Sequence, residues 1–97
     1  MPAYMIAQVN ITDPEAFKKY QARVPETLKP YGGKYIVRGG ETVVLEGQMP
    51  YPRIVVIEFP SLEQAKAWHA SDEYAEPLAM RQASADSVLI AVDGYDG

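Results

Sequence analysis

The chain contains no cysteine. That removes disulfides, thiolate nucleophiles and every cysteine-ligated zinc or iron–sulfur site, so the fold must close on packing alone. It has a single histidine, His69, and no spaced carboxylate pair beside it, so no ligand set for zinc or non-haem iron can be drawn. A basic run is also missing: nine Lys and Arg against thirteen Asp and Glu leave a net charge of −4. With a pI near 4.8, the chain lacks the electrostatic footprint of a nucleic-acid binder and suits anionic membrane surfaces poorly. No stretch approaches the roughly 20 apolar residues of a membrane span. Met1-Pro-Ala-Tyr has no basic n-region and no apolar run of signal-peptide length. Gly39-Gly40 falls within a strand pattern rather than opening a helix, so no phosphate-cradling loop exists and no nucleotide cofactor is expected. A cytoplasmic protein with no nucleic-acid partner, no membrane partner and no cofactor is the expectation.

What is present is globular. The 97 residues are 47% hydrophobic and 23% charged, which fits one domain over residues 1–97. A chain of this length buries roughly 60–65% of its unfolded surface, enough for an unaided core. Ala3 to Ile11 alternates as a strand, with Tyr4, Ile6, Gln8 and Asn10 on one face and Met5, Ala7, Val9 and Ile11 on the other. Thr12-Asp13-Pro14-Glu15 starts a helix whose stripe is Phe17, Tyr20 and Val24. Pro25 is expected to kink or restart it; Leu28 and Tyr31 continue the stripe, and Gly32-Gly33 ends it. Lys34–Arg38 and Glu41–Glu46 read as one strand interrupted at Gly39-Gly40.

A connection through Pro50-Tyr51-Pro52 leads to a strand over Arg53–Phe59. Ser61 and Gln64 form a capping-box pattern for a second helix with Leu62, Ala65 and Trp68. Ser71-Asp72-Glu73 reads as a fresh cap, with Pro77 in the first turn of a short restarted helix and Tyr74, Leu78 and Arg81 on one face. Ser87–Val92 is the last strand, and Asp93–Gly97 a frayed tail. The order β-α-β-β-α-β is the ferredoxin-like pattern: an α+β domain with a four-stranded antiparallel sheet and helices on one face.

Two strands do not alternate. Ile54-Val55-Val56-Ile57 and Val88-Leu89-Ile90-Ala91-Val92 are continuously apolar, so both of their faces favour leaving water. Helices cover one face only. A second copy of the chain, packed sheet against sheet, is the simplest cover, and a homodimer is expected.

Several segments are similar to a known family: Gly32-Gly33-Lys34-Tyr35-Ile36-Val37-Arg38-Gly39-Gly40, Leu45-Glu46-Gly47, Arg53 to Ser61, Ala67-Trp68, Ser71, Glu73-Tyr74 and Arg81. Together they resemble the domain-of-unknown-function family numbered 1330, within the dimeric α/β-barrel superfamily. The resemblance implies a ferredoxin-like protomer and a dimer whose two sheets form a barrel. It supplies no activity, although the wider superfamily includes cofactor-independent monooxygenases, muconolactone isomerases, haem-dependent enzymes and ligand-binding modules. His69 departs from the family pattern, which commonly has an aromatic residue there. Haem held by His69 is conceivable within the superfamily, but no feature of the sequence demands it.

Glu58 is the most pointed candidate, because it interrupts an apolar strand. It reads either as a catalytic acid/base or ligand-orienting group in a cavity, or as a structural ion pair with Arg38, Arg53 or Arg81. The Arg38 guanidinium suits a substrate carboxylate, or else braces a bulge as partner to Glu46 or Glu58. The family motif directs Arg81 at the same cavity; without it, a solvated helix face is the alternative. His69 is a base by its ordinary pKa, or a ring packed beside Trp68. Tyr4, Trp68 and Tyr74 are expected to line an apolar pocket with Glu58, Arg38 and Arg81 as its polar groups. The functional expectation is a small-molecule-binding protein or cofactor-independent enzyme acting on a small anionic or aromatic compound. The alternative is a non-catalytic structural dimer whose Arg/Glu cluster only stabilises the barrel.

Overall fold

The computed structural model describes residues 1–95. Four strands form one antiparallel sheet in the order β2-β3-β1-β4, with β1 at Ala3–Ile11, β2 at Lys34–Arg38, β3 at Arg53–Phe59 and β4 at Ala85–Asp93. Helix α1 spans Pro14–Leu28, a 3-10 turn covers Lys29–Tyr31, and α2 and α3 span Leu62–His69 and Asp72–Ser84. This is the expected ferredoxin-like α+β fold. The sheet is open, with β2 and β4 as free edges, so a barrel can arise only when two copies meet.

Strand parity sorts the residues. In β1, Ala3, Met5, Ala7 and Val9 are buried against the helices. The register pairs Ala7 with Val55 and Leu89, and Met5 with Ile57 and Ala91, on that same side. Phe17, Tyr20, Val24 and Leu28 of α1, with Ala65 and Trp68 of α2 and Tyr74 of α3, complete the core. The opposite face carries Ile6 between Val56 and Ile90, and Gln8 between Ile54 and Val88. Val88, Ile90 and Val92 are 47%, 53% and 44% exposed on it. The continuous apolar runs therefore split by parity: Val55, Ile57 and Leu89 pack into or against the core, whereas Ile54, Val56, Val88, Ile90 and Val92 form an uncovered apolar sheet face.

Caps form where short polar residues precede helices. Asp13 accepts from the Ala16 amide at 3.2 Å, Ser61 from Gln64 at 3.2 Å, and Ser71 from Tyr74 at 3.2 Å. Each satisfies an amide that has no partner within its helix. Gly32, at φ 72°, closes the 3-10 turn in the left-handed conformation that glycine adopts without a Cβ clash.

Several expectations are corrected. Pro25 does not restart α1; a single helix runs through it to Leu28. Pro77 lies inside α3, beyond its first turn, because Ser71 already caps the helix. The fresh cap at Ser71 is present as expected, and α2 and α3 are separate helices. Glu41–Glu46 is not a strand: it has no regular structure and no neighbour in the sheet. β4 begins at Ala85, directly after α3, two residues earlier than its sequence pattern indicates. Of the expected frayed tail, Asp93 ends β4, the Gly94 amide donates to the Pro2 carbonyl at 2.7 Å, and Asp96 and Gly97 lie outside the described residues.

Candidate functional site

Between α1 and the sheet lies a cleft walled by Met5, Ala7 and Val9 of β1, Val55 and Ile57 of β3, Leu89 of β4 and Phe17 of α1. Into this apolar space project three guanidinium groups, from Arg38, Arg53 and Arg81, together with Tyr20, Gln21 and Tyr35. In the present conformation its free volume is about 20 Å³, room for about one water molecule.

Each arginine is placed by a local feature. β2 is irregular between Tyr35 and Val37, and Arg38 resumes the helix-facing side opposite Val55. Its guanidinium stacks on the Tyr35 ring, 4.4 Å from the centroid, and its Nη2 donates to the Gln21 carbonyl at 3.1 Å. That carbonyl is the one Pro25 cannot engage, since proline has no amide hydrogen to give the residue four positions earlier. The proline that α1 tolerates thus leaves an acceptor for Arg38, which bridges β2 and α1 across one side of the cleft.

Arg53 shares the parity of Val55 and Ile57 and lies near the Phe17 ring, 5.8 Å from its centroid. Its Nε is buried with no hydrogen-bond partner. Gly39, at φ 72°, gives the guanidinium its space: a Cβ there would run into it. Arg81 is only 6% exposed. Its Nε donates to the Tyr74 hydroxyl at 3.4 Å, and its Nη1 donates to the Ser87 hydroxyl. The Tyr74 and Tyr20 hydroxyls are joined at 2.7 Å.

The electrostatics are one-signed. None of the ion pairs among the described residues involves these arginines. Burying a cation without a counter-charge is unfavourable unless other groups satisfy it, and two hydroxyls do so only in part for Arg81. Burial, and then the neighbouring Tyr74, hold the Tyr20 phenol far above its ordinary value. Burial raises Tyr35 as well, against the opposing pull of Arg38. The three guanidiniums make the cleft positive, the complement of an oxyanion. Among the described residues no cluster of His, Asp or Glu could hold a metal ion.

The candidates from the sequence divide between the two faces of the sheet. Arg38 and Arg81 reach the cleft, and Tyr74 supports Arg81 from beneath. Glu58 does not join them. It pairs in register with Tyr4 on the opposite, uncovered face, where Lys34 on the adjacent strand holds its carboxylate at 3.1 Å. The expected grouping of Glu58 and Tyr4 with the arginines around one pocket therefore does not form within a protomer, because Glu58 and Arg53 have opposite parity along β3.

Trp68 is fully buried between Phe59 and Tyr74, with ring centroids at 5.6 and 4.0 Å. Its indole donates to Thr27 Oγ1 at 3.0 Å, so it locks α2 to α1 rather than lining the cleft. His69 is exposed at the end of α2, 6.0 Å from the Tyr74 ring, beside a separate hollow of about 240 Å³ along β4. Sequence reading missed Arg53 as a cleft residue, although its parity with Ile57 would have placed it there.

The family model described as "Domain of unknown function (DUF1330)" matches residues 2–95. The chain belongs to this family. No curated protein matches it. Among solved structures, a protein of unknown function from Rhodopseudomonas palustris is similar at 22% identity and TM-score 0.80, over 99% of this chain and 84% of that one. A dimeric ferredoxin-like protein of unknown function from Jannaschia sp. CCS1 aligns at 11% identity and TM-score 0.73, over 97% of this chain and 100% of that one. SnoaB, a cofactor-independent oxygenase from Streptomyces nogalater, aligns at 10% identity and TM-score 0.70, over 99% and 95% of the two chains. At these identities the likeness is one of fold.

Proposed function

We propose that this member of the DUF1330 family is a homodimeric protein that binds a small compound with an apolar, aromatic body and an anionic oxygen. The ligand would sit in the cleft between α1 and the sheet of each protomer. The observation behind this reading is the set of three guanidiniums, one of them buried, around an apolar space with no ion-paired carboxylate. A carboxylate, enolate or phenolate supplies the missing charge, and the apolar walls take the ring once α1 moves off the sheet, since the closed cleft has room for about one water molecule. The dimer reading rests on the uncovered apolar sheet face and on the dimeric ferredoxin-like protein from Jannaschia sp. CCS1.

Glu58 and Tyr4 belong to that sheet face, so in this reading they serve the dimer. Ligand contacts fall to Arg38, Arg53 and Arg81, with Tyr74 positioning Arg81; Trp68 and His69 lie outside the cleft. The lining of the cleft contains no carboxylate and no histidine to move a proton. Binding is therefore the function these groups support best.

Calorimetric titration with 2-naphthoate and with its neutral counterpart 2-naphthylmethanol tests the reading. The carboxylate is expected to bind at least about tenfold more tightly, roughly 1.4 kcal/mol. Arg81→Met is expected to erase that preference with thermal stability unchanged or raised, because exchanging a buried charge for an apolar side chain is often neutral or stabilising. Equal affinities, or binding of neither compound, would overturn the reading. A marked loss of stability in Arg81→Met would favour the rival role, in which the arginine only braces the fold.

A further inference from the structure

The guanidiniums of the cleft do not converge on one point. Arg53 stands opposite Val9 in the β3–β1 register, and Val9 stands opposite Ser87 in the β1–β4 register. Arg81 is tied to Ser87 through its Nη1. Two cations therefore flank one rung of the sheet from opposite sides, with Val9 between them. At roughly 4.8 Å per strand, β3 and β4 are about 10 Å apart. The Arg53 head lies further out still, because it fills the space beside Gly39, on the β2 side of β3 and away from β4. Between the two heads the floor is apolar, with Val9 and Ala7 of β1 bordered by Val55 and Leu89.

The cations are also held differently. Arg81 is buried and fixed by the hydroxyls of Tyr74 and Ser87. Arg38 is engaged by the Gln21 carbonyl and the Tyr35 ring. Arg53 has a buried Nε with no hydrogen-bond partner and, among the described residues, no ion pair. One carboxylate matches one guanidinium fork. Seated on Arg81, it cannot also reach across two strands to Arg53. A ligand with a single anionic oxygen thus leaves a desolvated donor and its charge unanswered.

We propose that the cleft takes a dianion: a flat apolar body with an anionic oxygen at each end, one held by Arg81 and the other by Arg53. This rests on the reading of the cleft as an anion site and specifies the class of compound it accepts. The second anionic group answers the Arg53 Nε, together with the adjacent Nη, in the bidentate geometry that a guanidinium offers. The apolar floor keeps the two cations apart, so the charges of the ligand belong at opposite ends of a rigid ring system and not on neighbouring carbons.

Calorimetric titration of the full chain with three naphthalene probes tests the proposal. They are 2-naphthoate, 2,6-naphthalenedicarboxylate with its carboxylates at opposite ends, and 2,3-naphthalenedicarboxylate with the same charge at one end. The 2,6 isomer is expected to bind at least about tenfold more tightly than either of the others. In Arg53→Met its advantage over 2-naphthoate is expected to vanish. A 2,6 isomer no tighter than 2-naphthoate, in a protein that still prefers 2-naphthoate to 2-naphthylmethanol, overturns the dianion and leaves the anion site standing. Equal binding of the two dicarboxylates, or an advantage that survives Arg53→Met, shows total charge at work and also overturns it. Binding of none of the three overturns both readings.

Discussion

At position 39 the backbone stands at φ 72°, a conformation that places any Cβ under strain. The space that a Cβ would take is filled by the Arg53 guanidinium. Because a guanidinium is the far end of a flexible side chain, it would swing away rather than force the backbone apart. Gly39→Ala therefore has two separable consequences. The strained φ is expected to lower stability by about 1–2 kcal/mol, read as a drop in the chemical-denaturation midpoint. Displacement of Arg53 is expected to weaken 2-naphthoate binding at a temperature where the variant is fully folded. An affinity equal to that of the parent would show that Arg53 takes no part in holding the anion. The same glycine thus acts at two levels, setting a turn and admitting a charge to the cleft.

Among the elements, α1 carries an unusual compromise. Proline in a helix interior is about 3 kcal/mol less favourable than alanine, yet α1 keeps Pro25 and spends the freed Gln21 carbonyl on Arg38. Pro25→Ala restores the intrahelical bond, draws that carbonyl back toward the helix axis and loosens the Arg38 bridge across the cleft. The expected outcome is a higher melting temperature together with faster association of 2-naphthoate in stopped-flow mixing. A raised melting temperature with unchanged association would mean that the bridge does not gate entry. This arrangement shows where sequence reading ends. Asp13, Ser61 and Ser71 marked the helix starts because a cap is a local interaction between near neighbours. The alternation in β1 marked the core for the same reason. Pro25 looked like a break, since its compensating partner lies on another strand. Glu41–Glu46 looked like a strand, since propensity does not record whether a neighbouring strand exists. Arg38 and Arg81 stood out by residue type and family motif. Glu58 was grouped with them because the continuous run Ile54–Ile57 conceals parity, which only the register of Tyr4 with Glu58 reveals.

For the whole molecule, the two faces of one sheet have separate tasks. The helix-facing side holds the core and the cleft, both complete within a protomer. The other side presents Ile6, Val56, Val88, Ile90 and Val92 to the outside, and its polar members Gln8, Lys34 and Glu58 lie among or beside them. The Gln8 side-chain oxygen is buried there without a partner. Ile90→Glu places a carboxylate midway along this face, opposite Ile6. In an isolated protomer position 90 is already 53% exposed, so the substitution removes little from the core. In a face-to-face dimer the same carboxylate, and its symmetry mate, would be buried unpaired, which costs several kcal/mol. Native mass spectrometry and sedimentation are expected to give a monomer with an intact circular-dichroism spectrum. Because the arginine cleft is built from a single chain, the Ile90→Glu monomer should still prefer 2-naphthoate to 2-naphthylmethanol. A dimer that survives the substitution would mean that some other surface joins the copies. A monomer that loses the preference would mean that the partner holds the cleft in shape, so that assembly and binding are one event.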